Sequence, residues 1–216
     1  MSEPDATKSD IHAGAPRTGR LAAGVLSAQS PARSAPWGDV SIRHEVSSDA
    51  VAVRLVQEAA FPTRAEAQLV ELLRGRGRLT LSLVAEPDGH VVGHVALSEV
   101  VVEAHDVPAP ADRGARLARG LGLAPLAVLP GWQGRGIGSA LVRAACQRAG
   151  DAGYDFVVLL GEPSFYRRLG FVEAAPLGLK NEYGATAAFQ VLPLTAQALP
   201  RGLVRYAAEF GEVFPS

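Results

Sequence analysis

Apolar and polar side chains alternate over Val40-Ser-Ile-Arg-His-Glu-Val46, the period-two pattern of a strand with one buried face. Ser48 or Asp49 can then cap a helix, on which Val53, Val56, Ala59 and Ala60 share one side. Phe61-Pro62 ends that helix, because the residue before a proline avoids the helical region. A second helix is predicted over Arg64–Arg74, with Leu69, Leu72 and Leu73 at helical spacing and Gly75 and Gly77 as stops. Leu79–Glu86 reads as a strand, Pro87-Asp88-Gly89 as a turn, and His90–Val102 as the returning arm of a hairpin. Glu103–Gly120 is polar, with proline and arginine, and reads as a loop. Leu121–Leu129 is a strand and Ser139–Ala149 a helix, and Tyr154–Leu160 is apolar throughout, as a strand covered on both faces should be. Ser164–Leu169 gives a short helix, Gly170-Phe171 opens a strand, and Ala187–Leu194 is the last clear one. Beyond Pro200 only one helical-looking turn is legible. The order β-α-α-β-β-loop-β-α-β-α-β-β contains a hairpin, so the sheet is mixed. A doubly wound parallel fold is disfavoured.

Residues 1–36 carry small and polar side chains with few large apolar ones, too little to offset the entropy of ordering. They are expected to form a disordered tail ahead of one folded domain at 37–216. A secretory signal fits poorly: Glu3, Asp5 and Asp10 spoil a basic start, and the apolar island Leu21–Leu26 is short. The expectation is a cytoplasmic protein. The chain of 216 residues supports one core, and its net charge of −1 excludes bulk attraction to nucleic acid or an anionic membrane. No run reaches the roughly 18 apolar residues of a membrane span. One cysteine, Cys146, excludes an intramolecular disulfide and a cysteine-rich metal site.

Candidate chemistry concentrates in Leu126-Ala-Val-Leu-Pro-Gly-Trp-Gln-Gly-Arg-Gly-Ile-Gly-Ser-Ala-Leu141. Gly134, Gly136 and Gly138 alternate between a strand end and a helix start. Glycine lets a ligand approach the backbone, and unpaired N–H groups at a helix start form an anion site. Arg135 adds positive charge, so a phosphate or pyrophosphate is the expected ligand. A P-loop needs a lysine that is missing here. A dinucleotide fingerprint would need glycine at 139 or 141, which are Ser and Leu. Gln133-Gly-Arg-Gly136-Ile-Gly138 instead fits the Gln/Arg-x-x-Gly-x-Gly/Ala pyrophosphate loop of acyl-CoA-dependent acetyltransferases.

With Pro-Ser-Phe-Tyr-Arg-Arg-Leu-Gly-Phe at 163–171, which looks like a Tyr-x-x-x-Gly-Phe segment, the chain resembles the GNAT superfamily of N-acetyltransferases. The resemblance spans about Val40 to Leu194. Gly161-Glu-Pro163 and Val-Arg-Tyr206 are similar to a bacterial branch of uncharacterised predicted acetyltransferases. It implies an α/β (α+β) acyl-CoA N-acyltransferase fold, a mixed central sheet of roughly six or seven strands with splayed middle strands and flanking helices. It implies acetyl-CoA as co-substrate and no metal. The backbone of Leu126, Ala127 and Val128 would bind the pantetheine arm like an added strand. The amides of Gln133, Gly134, Arg135, Gly136, Ile137, Gly138 and Ser139 would hold the pyrophosphate. An amine would attack the thioester, a strand N–H (that of Val128 foremost) would stabilise the oxyanion, and Tyr166 would protonate the departing thiolate.

The chain departs from the family pattern at the general base. Neither Leu123–Leu129 nor Phe156–Leu160 holds a carboxylate, and position 159 is Leu where many members have Asn. Glu99, Glu162, a water chain or an already neutral amine are the alternatives. His90 and His94 sit about 13 Å apart by strand rise, too far to share a metal. His105-Asp106 reads as a solvated pair, Cys146 as a small core residue, and Trp132 as an exposed loop side chain beside the cofactor site. Arg113, Arg116 and Arg119 form a basic stripe, for solubility or for an acidic end of the ligand. The expected partner is a small-molecule or peptide amine, with no nucleic acid and no membrane. The family often forms homodimers, which leaves that option open. Two further readings stand: a non-catalytic acyl-CoA-binding sensor on the same fold, and transfer of a longer acyl chain. The acceptor is not legible, because it would lie in the loops 61–78, 103–122 and 174–186.

Overall fold

The computed structural model describes residues 40–104 and 118–214. The expected tail at 1–36, the pair His105-Asp106, and Arg113 and Arg116 lie outside the described residues. The elements are β1 (Ser41–His44), α1 (Ala50–Ala60), α2 (Ala65–Gly75), β2 (Leu79–Glu86), β3 (Gly93–Glu103), β4 (Gly120–Val128), α3 (Ile137–Asp151) and β5 (Phe156–Leu160). Then come α4 (Pro163–Tyr166), β6 (Val172–Glu173), β7 (Leu179–Asn181), β8 (Phe189–Pro193), β9 (Gly202–Arg205) and α5 (Ala208–Val213). The predicted order holds. Two elements were not expected, β7 and β9, and the helical-looking turn beyond Pro200 is α5.

The sheet runs β1-β2-β3-β4-β5-β8-β6, with β9 pairing both β3 and β7. Only β4–β5 and β7–β9 are parallel, so the sheet is mixed. Its two faces bury separate cores. The amphipathic α3 supplies Leu141, Val142 and Ala145 to one, against Leu83, Val95, Leu121 and Val157. On the other, Leu69 and Leu73 of α2 meet Phe156, Phe189, Tyr206 and Phe210. Among the described residues no helix is long and apolar enough to cross a membrane.

The expected side-chain cap at Ser48 or Asp49 does not form. Asp49 stands at the start of α1 without capping it, and its carboxylate accepts the Val46 N–H at 2.9 Å and pairs with Arg43. A short 3-10 turn over Ser47–Asp49 leads into the helix instead.

His94 ties α1 to the sheet. The imidazole is fully buried, with Gln57 Nε2 2.7 Å from Nδ1 and Ser82 Oγ 2.8 Å from Nε2. Ser82 is also hydrogen-bonded to Glu45, which pairs with Arg74 of α2 at 2.5 Å. A neutral imidazole satisfies this chain: Gln57 donates to Nδ1, Nε2–H donates to Ser82, and the hydroxyl donates to Glu45. Burial pushes the His94 pKa down, against the opposing pull of Glu45.

Candidate functional site

Strands β4 and β5 pair only at Gly120↔Phe156, Leu121↔Val157 and Gly122↔Val158. Beyond that point they part. On the other side β4 stays with β3, where Val95↔Leu126 is followed by Leu97↔Leu123. Two residues of β4, Ala124 and Pro125, thus oppose the single Ala96 of β3, a bulge. The Leu129 N–H donates to Val92 O, so alternation places Ala127 in a hydrogen-bonded pair with His94. The N–H and C=O groups of Leu126 and Val128 therefore point away from β3, toward the gap left by β5. Ala127, expected to bind ligand through its backbone, directs that backbone to β3 instead.

A cleft of about 680 Å³ occupies one side of the gap, lined by Leu126, Val128, Gln133, Gly134, Gly136, Ile137, Gly138 and Ser139 among others. Gly136 caps α3 with φ of 83°, and Gly134 has φ of 74°, conformations that favour glycine. Ala140 is the first to donate an i→i−4 bond, to Gly136 O, so the N–H groups of Ile137, Gly138 and Ser139 have no partner inside the helix. A Cβ on Gly138 would stand 3.7 Å from Val128 and 3.8 Å from Leu126 and Phe165, where it would narrow the cleft floor. The Gln133 N–H is directed to Pro130 O and its side chain to Val128 O at 3.0 Å, so Gln133 fixes the loop. Arg135 lies over the Trp132 ring at 4.9 Å and does not line the cleft. Trp132 is half-buried rather than exposed. Arg143 and Arg168 line the cleft, and sequence reasoning assigned neither. Among the described residues no carboxylate lines it.

A second pocket, about 340 Å³, opens on the other side of the parted strands. Leu126 lines both. Tyr166 faces this second pocket, not the first, and makes edge contacts with Phe165 at 4.8 Å and Phe171 at 5.7 Å. Among the described residues no side chain hydrogen-bonds its hydroxyl. Burial, with a smaller effect of the Cys146 thiol, pushes the Tyr166 pKa up to about 12. Cys146 is buried in α3.

Both carboxylates considered as bases lie elsewhere. Glu99 hydrogen-bonds the Tyr154 hydroxyl at 2.7 Å and Arg119 at 3.2 Å, away from both cavities. Arg119, whose guanidinium also lies 4.2 Å from the Tyr154 ring, is engaged there. Glu162 caps α4, accepting the Ser164 N–H at 3.2 Å. Among the described residues the carboxylate that lines the second pocket is Glu66, on the first turn of α2. It was read only as part of a helix. Among the described residues no group of three or more His, Cys, Asp or Glu side chains is placed to hold a metal.

A mixed sheet opened at one parallel junction, with a glycine-rich helix start beside the gap, defines the acyl-CoA N-acyltransferase class of fold. The acetyltransferase (GNAT) domain model matches residues 78–173. The uncharacterized N-acetyltransferase YhbS of Escherichia coli K12 is 39% identical over 173 residues, covering 78% of this chain and 97% of that protein. The crystal structure of E. coli YhbS in complex with CoA superposes with a TM-score of 0.71, covering 80% of this chain and 92% of that one. A Brucella melitensis GNAT acetyltransferase in complex with acetyl-CoA is 37% identical, with a TM-score of 0.63 over 80% of this chain and 98% of its own. The chain belongs to the GNAT acetyltransferase family.

Proposed function

We propose that the protein transfers the acetyl group of acetyl-CoA to an amine by direct attack, with Tyr166 as general acid. The observation that carries this reading is the meeting of two cavities at the stretch of β4 that β5 leaves unpaired. The larger cleft combines the N-terminus of α3 with Arg143 and Arg168 and, among the described residues, holds no carboxylate, so it suits a polyanion such as the pyrophosphate and phosphate of CoA. Two relatives bind CoA or acetyl-CoA, which supports the same ligand here. Leu126 and Val128 would receive the pantetheine arm as an added strand. The Leu126 N–H, at the junction of both cavities, replaces that of Val128 as the group expected to stabilise the oxyanion. Tyr166, protonated throughout the neutral range, would supply the thiolate with its proton. Its position in the second pocket favours transfer over a binding-only sensor.

Titration calorimetry with acetyl-CoA, followed by thiol release in the presence of mixed amines, tests the reading. Saturable binding and amine-dependent thiol release are expected. Absence of binding at millimolar acetyl-CoA overturns it, and binding without transfer to any amine selects the sensor.

A further inference from the structure

The two cavities that meet at Leu126 differ in chemistry. Among the described residues, the larger is lined by two arginines and no acid. The smaller is lined, among the described residues, by one acid, Glu66, and by no arginine, lysine or histidine. Five aromatic rings, Phe61, Tyr166, Tyr183, Phe210 and Phe214, contribute to its wall, and Leu123 with the bulge residues Ala124 and Pro125 completes the β4 side beside Leu126. Glu66 is partly buried, and among the described residues it has no cationic partner. Its side-chain contact is the Thr63 hydroxyl at a long 3.4 Å. A carboxylate without a counter-ion beside an aromatic wall attracts a cation through charge and through the ring faces.

We propose that the acceptor is a small hydrophobic monoamine with an aromatic body, an arylalkylamine, whose ammonium group is held by Glu66. This rests on the acetyl-transfer reading above. The volume, about 340 Å³, lies at the small end of ligand pockets, which suits a ring on a short linker and not a sugar chain. A second ammonium group, as on a polyamine or aminoglycoside, would enter an apolar wall with no further carboxylate to meet it, and burying it unpaired is costly. The aromatic body would cover Phe61, Phe210 and Phe214 while the amine end points to the acetyl carbon at Leu126.

The step balances without another reactant. The bound ammonium gives one proton to solvent by way of the Glu66 carboxylate. The freed lone pair forms the N–C bond, and the C–S bond breaks. The sulfur takes the Tyr166 proton, and the second nitrogen proton restores the phenol. The products are the N-acetylamine, CoA thiol and one proton.

The test measures thiol release from acetyl-CoA by the full-length protein with phenethylamine, tryptamine, ethylamine, spermidine, kanamycin and a lysine-containing peptide, with mass confirmation of product. Phenethylamine and tryptamine are expected to exceed spermidine and kanamycin in kcat/KM by at least about tenfold. Glu66→Gln should raise KM for phenethylamine at least about tenfold and leave acetyl-CoA binding unchanged by calorimetry, which also shows that the variant is folded. Phe214→Ala should shrink the preference for phenethylamine over ethylamine. A preference for spermidine, kanamycin or the peptide overturns the proposal while leaving acetyl transfer standing, as does an unchanged KM in Glu66→Gln. Loss of acetyl-CoA binding by the unmodified protein overturns the underlying reading as well.

Discussion

The Tyr166 ring occupies the space that a side chain at Gly161 would fill: a Cβ there would come 2.3 Å from Tyr166 Cε2. Gly161 itself is held in line by Ala188 O, which accepts its N–H, and by Gln190 Nε2, which donates to its carbonyl at 3.2 Å. The end of β5 therefore cannot move aside, and the ring would have to.

Gly161→Ala should displace the phenol and lower kcat by roughly 10²-fold, the scale of an ångström-sized misplacement of a catalytic group. Acetyl-CoA affinity should change little. Steady-state kinetics beside calorimetry will separate the two.

Tyr166→Phe keeps the ring contacts with Phe165 and Phe171 and removes only the hydroxyl. We expect kcat to fall by about 10²–10⁴-fold, with binding intact. Because the phenol pKa is pushed up to about 12, the rate should climb as the acceptor amine loses its proton. It should show no alkaline decline up to about pH 10. A pH–rate profile with a fall near pH 8 would remove Tyr166 from the acid role.

The loop geometry predicts a different split. Gly138→Val should narrow the floor formed by Val128, Leu126 and Phe165 and weaken acetyl-CoA binding by at least about tenfold. The melting temperature should shift by only a few degrees. Calorimetry and thermal melting check it.

Stability should fall in acid in two stages. Burial depresses the His94 pKa below its ordinary 6.5, so the unfolded chain binds a proton there that the folded one refuses. Stability then rises with pH through this range and is lost as pH drops below about 6.5. For Glu45, burial works to raise the pKa, but hydrogen bonds from His94 and Ser82, with Arg74 beyond, hold it below its ordinary 4.5. That contribution is present above 4.5 and lost beneath it. Melting temperatures from pH 4 to 9 should be level above 7 and fall in both windows, and His94→Gln should abolish the upper one.

The folding pattern and most of the lining of the larger cleft were legible because both are local. Strand and helix periods lie within single segments, and Gln133 to Ser139 form one continuous stretch of loop and helix start. What escaped is what only assembly creates. β9 is four residues long and gains its place from β3 and β7. Ala127 matched its motif, yet strand register turned its backbone to His94. Glu66 lies on the first turn of a helix sixty residues before Leu126 in the chain, and nothing in its neighbours marks it. β4 and β5 carry no carboxylate toward the gap, and the one that lines the second pocket arrives from α2. The Thr63-x-x-Glu66 spacing could have drawn notice, but as a helix start.

The bulge at Ala124-Pro125 has an evolutionary consequence. The two cavities share Leu126. If they take acyl donor and amine as proposed, a larger or smaller side chain there alters both fits together. Phe61, Tyr183 and Phe214 line only the second pocket. On that reading, amines can be diversified through those rings while the acyl donor is left alone, and position 126 is where such drift should be slowest.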